Sequence, residues 1–374
     1  MVNLIYIILC VLSFININIK GINSFFYDYI DLENTKPVKG IFVWMIFFRH
    51  CMDYFNKELK KGKISILIDK SFGPNIVSLF LFYSGYGINE SFKKKGNIYI
   101  KTLPIKSVIF FIKFQIILLM FLFNNIILGV EIFFLDYIKA VIFQKGIGNS
   151  YWFAFTIIIL YIYSFLSFIL IKKKYNFLGI IIISIICYFH IIIVYKYYHR
   201  KERIFVETII CFVFGFYYSF FKKYSDAIIM KNDIIYFLFM IYSTFAYYKY
   251  FTIKKKNIFN ISIKNFLLNF ILVLITMKIQ FKNEFLNLLS CHSYSIYLLQ
   301  RLVMIYIKKK DYFKNNEIIR FFFEFLLVIL MSSIFDKYTV FIDNLLKKKN
   351  IKKKEITKNV SKELLIFENK SINI

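Results

Sequence analysis

A chain of 374 residues that is 59% hydrophobic and 21% aromatic is not a soluble domain, whose apolar share is about 45–50%. Its formal charge is +28, but the lysines cluster between long apolar runs, at Lys93–Lys95, Lys172–Lys174, Lys254–Lys256, Lys308–Lys310 and Lys347–Lys349. That is the layout of loops flanking membrane spans, and it argues against a nucleic-acid partner. The five cysteines lie in apolar runs without paired spacing, which excludes a disulfide framework and a zinc site, and no metal is expected. Ile, Phe, Tyr, Asn and Lys are inflated together, as in the codon usage of an AT-rich genome, so lysine placement carries more weight than lysine number.

Residues 1–19 are apolar, and the nearest positive charges, Lys20, Lys36 and Lys39, follow rather than precede them. A secretory signal has the reverse order, so the stretch reads as a retained helix with its N-terminus outside. A polar connection over 20–38, rich in Asn and Asp, contains Pro37 near its end. Ten further spans follow by hydropathy, at roughly 39–55, 72–92, 107–129, 150–171, 177–195, 204–221, 234–251, 265–278, 284–307 and 318–336. The expected fold is all-α: a polytopic helical bundle in the membrane, with about ten core transmembrane helices plus one N-terminal helix. The expected division is 1–38 (N-terminal helix and connection), 39–336 (membrane domain) and 337–374 (a lysine-rich, partly disordered cytoplasmic tail near anionic lipid heads). The positive-inside rule, resting mainly on that tail, puts the loops around 20–39, 93–106, 172–176, 222–233 and 278–283 inside. The loop at 130–149 is then the longest external one, read as a short interfacial helix, a substrate rim or a solvated connection.

The first core span, Pro37 to Phe55, carries Lys39, Arg49, His50 and Asp53. Charged groups inside a span are costly and are functional candidates by default. Lys39 and His50 are eleven residues apart; at about 100° per residue both share one helix face, with about 16 Å between them along the axis. Histidine gives and takes protons near neutral pH, and Asp53 lies on an adjacent face from which to orient the imidazole. The same pattern also fits a histidine satisfied by a neighbouring helix and a lysine snorkelling at a helix end.

The next span holds Phe82-Tyr-Ser-Gly-Tyr-Gly87. Gly85 and Gly87 permit close helix approach or a local break, and Ser84 and Tyr86 add hydroxyls there. Lys101 and Lys106 then open the third span, a basic patch suited to a phosphate-rich ligand or ordinary loop charge. Late in the chain, Ser293-Tyr-Ser-Ile-Tyr-Leu-Leu-Gln-Arg301 is dense in polar groups. Tyr297, Gln300 and Arg301 follow i, i+3, i+4 spacing and can share a face; His292 just before them reads as structural.

In this order, the Lys-Gly-Ile start ending in His50, the Tyr-Ser-Gly-Tyr-Gly element with its lysine-rich loop, and the late Ser-Tyr-Ser-Ile-Tyr-Leu-Leu-Gln resemble the membrane-bound acyltransferase-3 family. Glu207 to Phe216 is a weaker fourth match, similar to the family's Phe-x-x-Gly helix. The resemblance covers about residues 36–336. It implies a multi-pass protein of a bacterial plasma membrane that O-acetylates polysaccharide. The co-substrate would be acetyl-CoA or another acyl-CoA, with no bound cofactor, and the acceptor a glycan or lipid-linked sugar among membrane lipids. Lys39 stands where the family commonly has arginine, keeping the charge and losing bidentate phosphate binding. The family's Arg-x-x-Arg after the glycine element is absent, and no appended hydrolase-like domain is expected. On this reading His50 is catalytic base or acyl carrier, with Asp53 or Tyr86 orienting it. Lys39, Lys101 and Lys106 hold the donor, while Arg49, Ser84, Gln300 and Arg301 contact substrate or developing charge. The competing reading is a glycan exporter or small-solute transporter, which would show an inverted repeat of broken helices; the glycine element occurs once.

Overall fold

The computed structural model describes residues 2–55, 74–197, 204–253, 257–313 and 316–371. The cluster Lys254–Lys256 and the first two residues of the span expected at 72–92 lie outside the described residues. The helices, in order, are α1 (Val2–Ser13), α2 (Leu32–Tyr54), α3 (Pro74–Lys95), α4 (Asn97–Ile100), α5 (Leu103–Ile127), α6 (Phe134–Val141) and α7 (Tyr151–Phe168). They continue with α8 (Asn176–Tyr197), α9 (Ile204–Glu207), α10 (Ile209–Ile229), α11 (Asp233–Thr252), α12 (Ile258–Lys278), α13 (Glu284–Cys291), α14 (Ser293–Lys309) and α15 (Glu317–Ser371). Among the described residues five segments are long and apolar enough to cross a membrane: Asn97–Ile127, Tyr151–Phe168, Lys173–Tyr197, Ile258–Lys278 and Glu317–Asn344. Helices α2, α3, α10 and α11 have comparable lengths, but their charged and polar side chains lower their mean hydropathy.

Several expectations change. The helix expected over 1–19 ends at Ser13; twelve residues rise only about 18 Å, short of the hydrocarbon core. Beyond it, β1 (Ile17–Ile19) pairs antiparallel with β2 (Ile279–Phe281), Ile17 opposite Phe281, so among the described residues the fold is all-α apart from one two-stranded ribbon. The span expected at 284–307 is two helices, α13 and α14, meeting at His292. The short span at 265–278 begins earlier, at Ile258, where the Asn257 side chain caps the helix by accepting from the Asn260 N–H. The loop at 130–149 does contain a short helix, α6, led by exposed Phe133 and Phe134. The tail from 337 continues as helix to Ser371, since no Gly or Pro interrupts that run.

Glycine decides the tightest packing. Gly85 on α3 faces the Phe212 carbonyl of α10, and Gly215 on α10 faces the Phe82 carbonyl of α3; a Cβ at either would overlap backbone. The glycine element is thus a packing seam within an unbroken helix. Gly87 lies off the seam, and a methyl group there would meet no atom within 4 Å. Gly40 likewise lets α2 lie on the Leu286 backbone of α13.

The loops read as lying on one side do meet at one end of the bundle. Lys20 N–H donates to the Lys278 carbonyl at 2.9 Å, Gln280 to Asp28 at 2.9 Å, and Tyr29 to Asp226 at 2.7 Å. On the same end, Lys173 donates to the Lys94 carbonyl at 2.6 Å. Lys278 also pairs with Asp233 at 2.5 Å, and with the Asn23 N–H this holds the Asp233 carboxyl below the usual carboxylate range. A carboxylate with a depressed folded pKa contributes stability above its unfolded value of about 3.9 and loses it as pH falls through the folded value. Asp233→Asn is therefore expected to lower the melting temperature of detergent-solubilised protein at pH 7 and to have less effect near pH 3. Equal effects at both pH values would remove this ion pair from the account.

Candidate functional site

Helix α2 presents Lys39, Val43 and Ile46 to one cavity of about 250 Å³, and His50 is the next residue on that stripe. This is the shared face expected from the helical repeat. Opposite α2, α3 supplies Tyr83 and Ser84, α7 supplies Phe153, Ile157 and Tyr161, and α14 supplies Ser293, Tyr294, Tyr297 and Gln300. At one end, Lys39 Nζ lies over the Tyr83 ring, 5.4 Å from its centroid, a cation–π contact in a desolvated setting. Among the described residues Lys39 has no carboxylate partner within ion-pair distance.

At the other end the His50 ring meets Tyr297 edge-on, with centroids 6.2 Å apart. Phe153 also packs on Tyr297, with centroids 4.8 Å apart. His50 Nδ1 is buried and has no hydrogen-bond partner among the described residues, and the same holds for Gln300 Oε1. Gln300 Nε2 is spent on the Tyr297 carbonyl at 3.0 Å. Unbonded buried polar atoms beside a cavity are costly unless a ligand satisfies them. The charges acting on His50 are those of Arg301, Asp53 and Arg49.

The structure separates the sequence candidates. Lys39, Ser84 and Gln300 line the cavity with Tyr297, and His50 adjoins it. Asp53 is half-exposed and pairs with Arg49 at 2.7 Å along the helix, and its charge acts on His50. Tyr86 is a correction: two residues after Ser84 it lies about 200° around α3, against Tyr218 of α10 at 6.3 Å. Arg301 donates to the Tyr54 hydroxyl at 3.4 Å, and its charge also acts on His50 and Tyr297. Lys101 is exposed at the end of α4. Lys106 covers the Tyr99 ring at 4.3 Å. Neither lines the cavity; Lys106 also donates to the Tyr99 hydroxyl at 3.3 Å.

Two supporting clusters were not foreseen. Asp336 of α15 binds His292 Nδ1 at 2.6 Å and the Ser295 hydroxyl, tying the first turn of α14 to α15. Near the other end, buried Arg320 pairs with Glu324 at 2.8 Å and Glu317 at 3.3 Å and reaches the Tyr54 carbonyl at 3.4 Å. Glu324 accepts from Cys51 Sγ at 3.6 Å. The last turn of α2, which bears His50, is thereby anchored to α15. The signal available was charge inside the apolar run at 317–336; its partners lie some 270 residues earlier and leave no local pattern.

A family model described as an acyltransferase domain matches residues 37–337. No curated protein matches the chain, and no solved structure does.

Proposed function

Because the chain belongs to the acyltransferase-3 family and is a multi-pass membrane acyltransferase, we propose that it moves an acyl group, acetyl first among them, from acyl-CoA to a sugar hydroxyl of a lipid-linked or growing polysaccharide. One observation carries this reading: Lys39 lines one end of a cavity, and His50, on the same helix stripe, adjoins the other end through its edge-on contact with the cavity-lining Tyr297. The acyl-CoA enters from the Lys39 end, which the positive-inside rule favours as the cytoplasmic one, and the acceptor hydroxyl meets it near His50. The membrane concerned is the plasma membrane of a bacterial cell.

The chemistry follows from the groups present. An imidazole nitrogen of His50 takes the proton of the acceptor hydroxyl as its oxygen attacks the thioester carbonyl carbon. Collapse of the tetrahedral intermediate breaks the C–S bond, and the thiolate leaves with the proton carried by His50. In the covalent variant His50 takes the acyl group itself and passes it on. Hydroxyl donors aimed at the carbonyl oxygen are needed in either case; Ser84 and Tyr297 are the nearest candidates. Lys39 supplies charge for the donor's phosphate-bearing end.

Membranes holding the protein, incubated with labelled acetyl-CoA and envelope glycan, are expected to place label in glycan. Lys39→Met is expected to raise the KM for acetyl-CoA about tenfold, roughly 1.4 kcal/mol, with a smaller change in kcat. Absence of label in glycan and in lipid-linked sugar would overturn the reading; an unchanged KM would remove Lys39 from donor binding.

A further inference from the structure

The geometry points to Phe153 as the residue that limits the length of the acyl group, an inference that rests on the acyl-transfer reading above. The cavity, at about 250 Å³, lies at or below the lower end of ordinary ligand pockets, about 300–1,000 Å³. Its walls mix apolar side chains, Val43, Ile46, Phe110 and Ile157 among them, with the polar groups named above, and where it adjoins His50 two of its rings, Phe153 and Tyr297, pack 4.8 Å apart. His50 meets Tyr297 and is not itself part of the cavity wall. A carbonyl carbon brought to the imidazole therefore carries its alkyl tail against these rings.

Of the two, Tyr297 touches His50 and belongs to the reacting end. Phe153 packs on Tyr297 rather than on His50 and projects from α7, where Ile157, one turn along, lines the same cavity. Phe153 is buried, with 9% exposure, so each added methylene must displace packed side chains, and overpacking a dense interior is destabilising. A methyl group beside the carbonyl needs no such displacement. The bond changes are those already given, with the acyl carbon passing from sulfur to the acceptor oxygen; only the tail differs.

The test compares acetyl-CoA and octanoyl-CoA as donors to envelope glycan, using the full chain in membranes and following free thiol release and acylated product. Wild type is expected to favour acetyl-CoA in kcat/KM by well over tenfold, given the range of about 10–200-fold per methylene in a shaped apolar pocket. Phe153→Ala is expected to move that ratio toward octanoyl-CoA by at least about tenfold, and Phe153→Leu by less. Phe153→Trp is expected to move it the other way, measured with acetyl-CoA against butyryl-CoA. Wild type using both donors equally, or ratios unchanged in the variants that insert into the membrane, overturns the assignment of Phe153. No transfer from either donor by wild type overturns the acyl-transfer reading, and the length limit with it.

Discussion

His50→Ala is expected to reduce acyl transfer by at least about 10²–10⁴-fold, the usual contribution of a positioned general base, and to leave the protein inserted and folded. The second half of that expectation comes from the packing. Among the described residues His50 Nδ1 makes no hydrogen bond, so alanine strands no buried partner through that atom. The last turn of α2 is held by its neighbours instead, through Cys51 to Glu324 and Tyr54 to Arg320. Membrane yield and melting temperature close to wild type, with transfer lost, would place His50 in the reaction. Retained transfer would remove it. Base and carrier roles separate further: incubation with labelled acetyl-CoA and no acceptor leaves label on wild-type protein only if His50 carries the acyl group.

The largest expected effect on stability is at the seam between α3 and α10. Gly85→Val or Gly215→Val places side-chain atoms inside a facing backbone carbonyl. Backbone cannot swing aside as a side chain tip can, so the helices must separate, at a cost of about 1–3 kcal/mol or more. The separation would also pull Tyr83 and Ser84 away from Lys39. Loss of folded, monodisperse protein in detergent is the expected result. Gly87→Ala is the control, since a methyl there meets nothing within 4 Å and alanine favours a helix over glycine by about 1 kcal/mol. A Gly215→Val protein that melts like wild type would show that the seam opens without penalty.

The ten expected spans coincide in large part with helices, because bilayer solvation imposes long apolar runs that hydropathy detects without knowledge of partners. What hydropathy misread was local: α1 is too short to span, and His292 divides one apolar stretch into α13 and α14. In the latter case a polar residue at the junction finds its partner, Asp336, forty-four positions later.

The amino-acid sequence by itself determined the helical membrane class, the family, and the face shared by Lys39 and His50, since each depends on composition or on spacing along one helix. It also marked Ser84, Tyr297 and Gln300 as polar groups in spans. Only the tertiary structure decided which of these meet. It turned Tyr86 toward Tyr218, gave Asp53 to Arg49, drew Arg301 to Tyr54, and lined the cavity with Phe153 from a helix that carries no motif. These outcomes depend on which faces of α2, α3, α7 and α14 oppose one another. Close contacts at Gly40, Gly85 and Gly215 fix how α2 and α3 lie against their neighbours, and such contacts leave no periodic trace.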